Sequence, residues 1–291
     1  MIREYALLGL LAGLWGSSYL FAKVALAGIS PLTLAAARVT IAAVVLFCFL
    51  KIGKKELPRD AATWRLLFVQ SLFNSTLAWS ILAWGQQYVD SGLAGVLNST
   101  SPIFVVLLTL ALPRRAPLGG WQVGGALLGF GGVVATIGVE VLGTLGRDVL
   151  AQLATLASAC LYAIAALHGR RLAHLSPLVT AASTTLLAAV CLVPASLLLE
   201  HPWTLAPSAR SLGAACALGF LCTAIALLLY FRLLRTLGPM GVTSQSYLRS
   251  GVSVLLGMAV LGERVSPAAG VGLAAIILGV AAINWRGAKS G

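Results

Sequence analysis

Long apolar stretches follow one another along almost the whole of this 291-residue chain. Hydrophobic residues make up 59% of it and charged residues only 10%, with a mean hydropathy of +0.96. A helix that crosses about 30 Å of hydrocarbon needs roughly 20 apolar residues. Such a composition is typical of a protein whose solvent is the bilayer, and no polar segment is long enough to form a soluble domain.

Breaks at charged residues, proline and glycine divide the sequence into ten predicted transmembrane helices. The first five are predicted over residues 5–27, 31–50, 64–87, 91–112 and 119–138. The second five are predicted over residues 148–168, 177–199, 209–231, 239–261 and 267–285. The predicted fold class is therefore an all-α membrane protein.

The basic residues are distributed unevenly between the two ends of these helices. A formal net charge of +12 would suit a nucleic-acid partner only if it were clustered on one surface. Instead, 14 of the 20 Lys and Arg residues fall on the side that holds both termini, three on the opposite side and three inside predicted helices. This positive-inside bias predicts a multi-pass protein of the bacterial inner membrane, with cytoplasmic termini, lipid around it and no nucleic-acid partner.

The two halves of the chain resemble each other. Residues 30–46 and 176–192 are identical at nine of 17 paired positions, and both begin Ser-Pro-Leu. At an offset of 147, Trp15 pairs with Tyr162 and Asn98 with Gln245. We predict two repeats, residues 1–138 and 148–286. Because each holds an odd number of helices, the second is inverted relative to the first, and the two surround a central cavity.

Several short motifs carry a resemblance to a known family. They are Leu14-Trp15-Gly16, the Leu-Gly-Glu-Arg turn at 261–264, and Pro267 followed by Gly272 and Gly279-Val280. With these motifs the chain resembles the EamA family of the drug/metabolite transporter superfamily, and within it the bacterial amino-acid exporters of the aromatic amino-acid type. The resemblance implies a ten-helix basket that exports amino acids or related metabolites.

Arg249 is the most informative ionisable residue, since it lies near the middle of a predicted helix. Together with Gln245 and Ser253 it forms a stripe at every fourth position. A charge in hydrocarbon is costly and persists where it faces a wet cavity or a partner. Arg249 is predicted to bind a substrate carboxylate, which guanidinium matches bidentately, or else to be a structural arginine held by helix carbonyls. Arg38 either lines the outward cavity or reaches the interface.

Aromatic and amide side chains supply further candidates. Trp15 and Tyr19 share one face of the first helix, and Asn74 and Trp79 lie along the third. These side chains would line a cavity or, alternatively, pack and hydrogen-bond between helices. The candidate substrate-binding residues are Trp15, Tyr19, Arg38, Asn74, Trp79, Asn98, Tyr162, Gln245 and Arg249.

No catalytic, metal or cofactor motif is recognisable, so the chain is not predicted to be an enzyme and no cofactor is expected. All eight acidic residues fall in predicted loops or at helix ends. Facilitated export is therefore at least as compatible with the sequence as proton antiport. Efflux of drugs or other metabolites and a non-transporting receptor remain alternatives. The sequence leaves the oligomeric state open, and a monomer is compatible with it.

Overall fold

The computed structural model describes residues 2–89, 91–111, 119–137, 145, 148–252 and 267–285. Within these ranges every regular element is a helix. In the first half they are α1 (Ile2–Leu26), α2 (Pro31–Ile52), α3 (Ala61–Ser71), a π turn (Leu72–Thr76), α4 (Leu77–Gly85), α5 (Ser91–Asn98), α6 (Ser101–Ala111) and α7 (Gly120–Ile137).

The second half follows a similar order. It contains α8 (Val149–Gly169), a 3₁₀ turn (Arg170–Leu172), α9 (Pro177–Leu199), a 3₁₀ turn (Pro202–Thr204), α10 (Ala209–Gly219), a π turn (Phe220–Ile225), α11 (Ala226–Thr243), α12 (described over 245–252) and α13 (Pro267–Asn284).

Seven helical stretches in the described part are long and apolar enough to cross a membrane. They are Ile2–Leu26, Pro31–Ile52, Ala61–Gly85, Ala94–Ala111, Val149–Leu172, Pro177–Leu199 and Ala209–Thr243. A shorter apolar helix covers Gly270–Asn284. Large apolar side chains such as Val44, Leu198 and Ile277 are exposed on the outer faces, as expected against lipid. The prediction of an all-helical, multi-pass membrane protein is confirmed, whereas the number ten stays a prediction.

Four of the predicted helices are interrupted within the described residues. The third and eighth each contain a π turn, and the ninth is broken at Ser244. The fourth is broken at residues 99–100, just before Pro102. Pro102 cannot donate a backbone hydrogen bond, so the break lies where the helical ladder is weakest.

The predicted end of the eighth helix at residue 231 is wrong. The helix continues through Arg232 and Arg235, which the sequence analysis placed in a loop, and departs from helical geometry only at Gly238. Gly238 has φ 75° and ψ −179°, a conformation that glycine adopts far more easily than other residues. The regular helix therefore ends at a glycine and not at the charged residues before it.

The helices pack mainly as pairs taken from the two halves. α2 packs along α9, and α7 packs along α13, while α1 contacts α10 and α11. α7 and α13 approach very closely, because a Cβ added to Gly125 would lie 2.7 Å from the carbonyl oxygen of Gly279. Such contact between small residues is typical of helices that associate in lipid. The Tyr5 hydroxyl donates to the Asn284 carbonyl at 3.3 Å, so residues 5 and 284 lie at the same end of the bundle.

A carboxylate joins the two halves at the opposite end. Glu200, directly after α9, accepts hydrogen bonds from the backbone N–H groups of Leu32 (3.0 Å) and Thr33 (2.6 Å) and from the hydroxyls of Ser30 and Thr33. It therefore caps the N-terminus of α2, where a negative charge is favourable. Partial burial raises the pKa of the Glu200 carboxyl, but these hydrogen bonds outweigh that effect and hold the pKa below its usual value.

Candidate central cavity

All nine candidate residues lie on the wall of one cavity at the centre of the helices. α1 contributes Trp15 and Tyr19, and α2 contributes Arg38. The remaining six are Asn74 in the first π turn, Trp79 in α4, Asn98 in α5, Tyr162 in α8, and Gln245 and Arg249 in α12. Both halves of the chain therefore supply the wall. Ser253, the last member of the predicted stripe, lies outside the described residues.

The cavity is narrow in this conformation. The space open to the centres of water molecules is about 60 Å³, and each water needs roughly 10–15 Å³ on that measure. Only a handful of waters would fit. The wall residues Tyr19 and Gln86 also line a neighbouring cavity, which extends past Lys23 to the ends of α1 and α4. The central cavity thus adjoins a second cavity at one end of the bundle.

Arg38 is held by the second π turn. Its Nε donates to the Thr223 hydroxyl at 2.6 Å, and its Nη2 donates to the Cys222 carbonyl at 3.3 Å. Its guanidinium carbon lies 3.9 Å from the centroid of the Trp79 ring, a cation–π distance. Arg38 therefore faces the cavity rather than reaching the interface, so one of its two predicted placements is set aside.

Arg249 is held by the first half of the chain. Its Nη2 donates to Oδ1 of Asn98, and its guanidinium carbon lies 5.1 Å from the Tyr19 ring centroid. The side chain is only 7% exposed. Asn98 is the last residue of α5, at the interruption of the predicted fourth helix, and its amide oxygen reaches Arg249 in the second half of the molecule. The wall of the cavity is where the two halves meet.

Trp15 is fixed by the same π turn as Arg38. Its indole Nε1 donates to the Cys222 carbonyl at 2.9 Å, and its ring lies 5.6 Å from that of Tyr230. A π turn interrupts the regular α-helical ladder, and such turns occur often at functional sites. Here a carbonyl within the turn accepts two hydrogen bonds from other helices. That carbonyl sets the position of both side chains.

Several polar atoms around Arg249 are buried and have no hydrogen-bond partner among the described residues. They are the Tyr19 hydroxyl, Nδ2 of Asn98, Oε1 of Gln245 and the Ser246 hydroxyl. Native proteins leave few such atoms, because each costs about 1–3 kcal/mol. The group contains both donors and acceptors. It is arranged to bind a polar molecule with both kinds of group.

Arg38 and Arg249 are the only charged residues among the described lining residues, which include no carboxylate. Within the described part of the chain, ion pairs join Arg59 to Glu56 and Arg232 to Glu4, both away from this cavity. No group of three or more His, Cys, Asp or Glu side chains there could hold a metal ion. The charge that the described lining residues bring to the cavity is thus positive.

Sequence reasoning missed part of the wall and its support. Cys222 and Thr223 were not among the candidate residues, yet both hold Arg38. Nothing in their apolar surroundings marks them, although the repeat places the second π turn close to the position of the first. Tyr230, Gln86, Ser101 and Ser246 also line the cavity without having been selected.

Comparisons with known proteins agree with this architecture. The uncharacterized inner membrane transporter YedA of Escherichia coli K12 is 24% identical over 271 residues, covering 93% of this chain and 87% of the relative. The uncharacterized transporter YoaV of Bacillus subtilis is 30% identical over 153 residues, about half of each chain (52%). One crystal structure superposes with a TM-score of 0.78 at 22% identity, covering 96% of both chains, which shows a shared fold.

The pattern of the EamA-like transporter family matches the chain twice, over residues 3–138 and again over residues 149–285. Together these matches cover nearly all of it. The resemblance drawn from Leu14-Trp15-Gly16 and the glycine-rich last helix is therefore confirmed. The chain is a multi-pass membrane protein that belongs to the EamA-like transporter family.

Proposed function

We propose that this protein is a bacterial inner-membrane exporter of amino acids or related small metabolites. It works by alternating access between two inverted five-helix repeats, residues 1–138 and 148–286. The relatives YedA and YoaV are named as transporters, and YedA as an inner-membrane transporter. The protein acts as a carrier and not as an enzyme, with lipid as its surroundings and a monomer as the simplest functional unit.

One observation carries the proposal: polar atoms without partners surround Arg249 inside a cavity built by both halves of the chain. A substrate carboxylate would accept from the Arg249 guanidinium and from Nδ2 of Asn98. A substrate amino group would donate to Oε1 of Gln245 and to the Tyr19 hydroxyl. A lipophilic drug would leave these groups without partners, so a polar metabolite fits better.

The repeated structure supports alternating access. The two π turns begin at Leu72 and Phe220. One interruption beside the cavity directly follows Asn98 and the other directly precedes Gln245, and these two residues are 147 positions apart. Two similar units of opposite orientation can exchange conformations about an axis in the membrane plane. Contacts between the halves at the cavity wall would then break on one side and form on the other.

The bias of basic residues supports a cytoplasmic position for residues 5 and 284. The opposite end of the bundle, where the neighbouring cavity lies beside Lys23, is then the outside. In this orientation the central cavity adjoins a cavity on the outer side. A substrate would enter from the cytoplasm only after the helices had rearranged.

A counterflow screen with purified protein in liposomes tests the function directly. We expect a preloaded amino acid to drive uptake of its radiolabelled form, and Arg249→Gln to lower kcat/KM by roughly 10–100-fold, because one charge-assisted hydrogen bond contributes about 1.5–3 kcal/mol. Arg171→Gln is the matched control, since Arg171 is exposed and lies outside the cavity. Equal transport by wild type and Arg249→Gln would remove the proposed site, and saturable binding without counterflow would favour a receptor.

A further inference from the structure

We propose that a groove on the outer surface, between α2 and α9, binds one anionic phospholipid such as phosphatidylglycerol. An acyl chain lies in the groove, and the phosphate lies at the C-terminal end of α2. The described residues that line this α2/α9 groove differ from those that line the central cavity. The inference therefore does not depend on which molecule is transported.

The α2/α9 groove is apolar and is shared by both halves of the chain. One wall is a stripe of α2 that recurs about once per helical turn, from Thr40 through Val44 to Ile52. The other wall includes Leu186 of α9. The Thr40 hydroxyl donates to the Ala36 carbonyl at 2.8 Å, so it needs no water from the groove. Val44 and Ile52 are exposed, and a hydrocarbon chain is the partner that their side chains favour in a membrane.

The length of the groove fits one leaflet of a bilayer. Thr40 lies near the middle of α2, and Ile52 is its last residue. Between them the helix rises by about 18 Å, at roughly 1.5 Å per residue. Half of a hydrocarbon core is about 15 Å thick. An acyl chain that reaches from the bilayer centre to the headgroups would thus follow the groove from end to end.

Three lysines stand where the groove meets the headgroups. Lys51 lies in the last turn of α2 and lines the groove itself, and Lys54 and Lys55 follow it. All three are exposed. A lysine stem packs along an apolar wall while its ammonium group stays at the interface. The groove therefore has an apolar length and a basic end, which matches the two parts of an anionic lipid.

The backbone at the end of α2 keeps these lysines together. The N–H of Lys55 donates to the Leu50 carbonyl at 3.0 Å, and the N–H of Lys54 donates to the Lys51 carbonyl at 3.2 Å. These two bonds form a Schellman motif, in which Lys54 has φ 48°. Glycine usually occupies that position. A positive charge therefore stands where the backbone alone would favour a residue without a side chain.

The acidic residues of the same segment are bound by other groups. Residues 51–60 contain four basic and two acidic side chains. Glu56 pairs with Arg59 at 2.9 Å, and the Asp60 carboxylate accepts from the Thr63 N–H at 2.7 Å. The excess of positive charge thus remains with the lysines. Zwitterionic lipids carry a cation beside their phosphate, so the lysines favour a headgroup with a net negative charge.

The basic end of the groove faces one leaflet only. α2 begins at the end of the bundle where Glu200 caps it, so Lys51 lies at the other end, with residues 5 and 284. In the orientation proposed above, this end faces the cytoplasmic leaflet.

Native mass spectrometry of the purified protein tests the lipid preference. We expect phosphatidylglycerol to be retained at least about tenfold over phosphatidylcholine with the same acyl chains, since each lysine near a membrane surface contributes about fivefold. Lys51→Gln should lower this preference by about fivefold, whereas Lys51→Arg should retain most of it. Replacing Lys51, Lys54 and Lys55 together by Gln should abolish it. Arg171→Gln, an exposed position outside the groove, should leave it unchanged.

Brominated lipids locate the bound molecule, because bromine quenches a tryptophan that it contacts. Phe47 is half-buried on the groove wall, and Phe47→Trp introduces a reporter there. Ile277→Trp is the matched control, since Ile277 is exposed on α13, outside the groove. The fluorescence that each tryptophan adds to the parent protein is measured in vesicles that contain brominated phosphatidylglycerol or brominated phosphatidylcholine. We expect phosphatidylglycerol to quench more strongly at position 47 and both lipids to quench equally at position 277.

Thermal unfolding in detergent without added lipid confirms that each variant is folded. Equal retention of the two lipids would overturn the inference, and so would a preference that survives the triple lysine substitution. Equal quenching by the two lipids at position 47 would show that the preference arises elsewhere and would also overturn it. A mass of two chains, with position 47 quenched by neither lipid, would assign the groove to a second copy of the protein instead.

Discussion

Arg38 and Arg249 face one cavity from opposite halves of the chain, but they are held in different ways. Arg38 is bound by a backbone carbonyl and a hydroxyl of a π turn and lies against an indole ring. Arg249 is bound by the side-chain amide of Asn98, which itself has an unused donor. A backbone carbonyl cannot turn away, whereas an amide side chain can. From this comparison we propose that Arg38 supplies a fixed charge and that Arg249 exchanges partners with a substrate.

The strongest test of this difference removes one partner from each arginine. Asn98→Leu takes away one acceptor of the Arg249 guanidinium, a side chain that is 7% exposed, and we expect substrate affinity to fall by roughly 10–100-fold, or about 1–3 kcal/mol. Thr223→Val is the matched change at Arg38. It leaves the Cys222 carbonyl and the Trp79 ring in place, so we expect a loss of only about 1 kcal/mol.

Both variants are measured by KM in proteoliposomes and by thermal unfolding without substrate. A Thr223→Val protein that loses more affinity than Asn98→Leu would reverse the roles assigned to the two arginines.

A smaller effect should separate the two ring contacts. The Trp79 ring lies 3.9 Å from Arg38, and the Tyr19 ring lies 5.1 Å from Arg249. Tryptophan is the better cation–π partner, so we expect a coupling energy of about 1–2 kcal/mol for the first pair and below about 1 kcal/mol for the second. Two double-mutant cycles on the free energy of unfolding measure these values. One combines Trp79→Leu with Arg38→Met, and the other combines Tyr19→Leu with Arg249→Met. Equal couplings would contradict a more rigid Arg38.

The smallest effect concerns a contact between the halves that involves no arginine. The pKa of Glu200 is lowered in the folded protein by its bonds to Ser30, Leu32 and Thr33. Its contribution to stability is therefore fully present above the unfolded pKa of about 4.3 and is lost as pH falls through the lower folded value. We expect Glu200→Gln to flatten the decline of the unfolding temperature below about pH 5 while leaving transport selectivity at neutral pH unchanged.

Asp60 provides the control for this pH effect. Its carboxylate also caps a helix, accepting from the Thr63 N–H at 2.7 Å, but this hydrogen bond lies within the first half of the chain. Its pKa is likewise lowered, first of all by the bonds from Thr63. If Asp60→Asn alters selectivity and Glu200→Gln does not alter the acid transition, the contact at Glu200 has been assigned the wrong role.

Much of the wall of the cavity was predictable, because a polar side chain in an apolar helix is costly unless it faces a cavity or a hydrogen-bond partner. Arg249, Asn98 and Gln245 stand out against their neighbours, and all three line the cavity. Whether Arg38 would turn inward could not be decided from its position, because a long side chain two turns from a helix end reaches either place. Its contacts with the second half decided the matter.

The π turns were not predictable from the same reasoning. Hydrophobic periodicity is nearly uninformative in helices that are apolar on all sides, so one additional residue in a turn leaves no visible signal. Cys222 acts through its carbonyl, which every residue has, and Thr223 is small and common in such helices. For the same reason the break at Gly238 was placed several residues too early, at the charged residues before it.

The π turn at Phe220–Ile225 has a consequence for how this cavity can change. An α-helical residue advances the chain by about 100° around the helix axis. Deleting one residue within the turn would restore a regular helix and rotate everything beyond it by about that angle, carrying Tyr230 away from Trp15. The placement of positive charge in the cavity thus depends on how many residues this helix contains as much as on their identity, and insertions or deletions here would alter cargo choice without changing a single polar side chain.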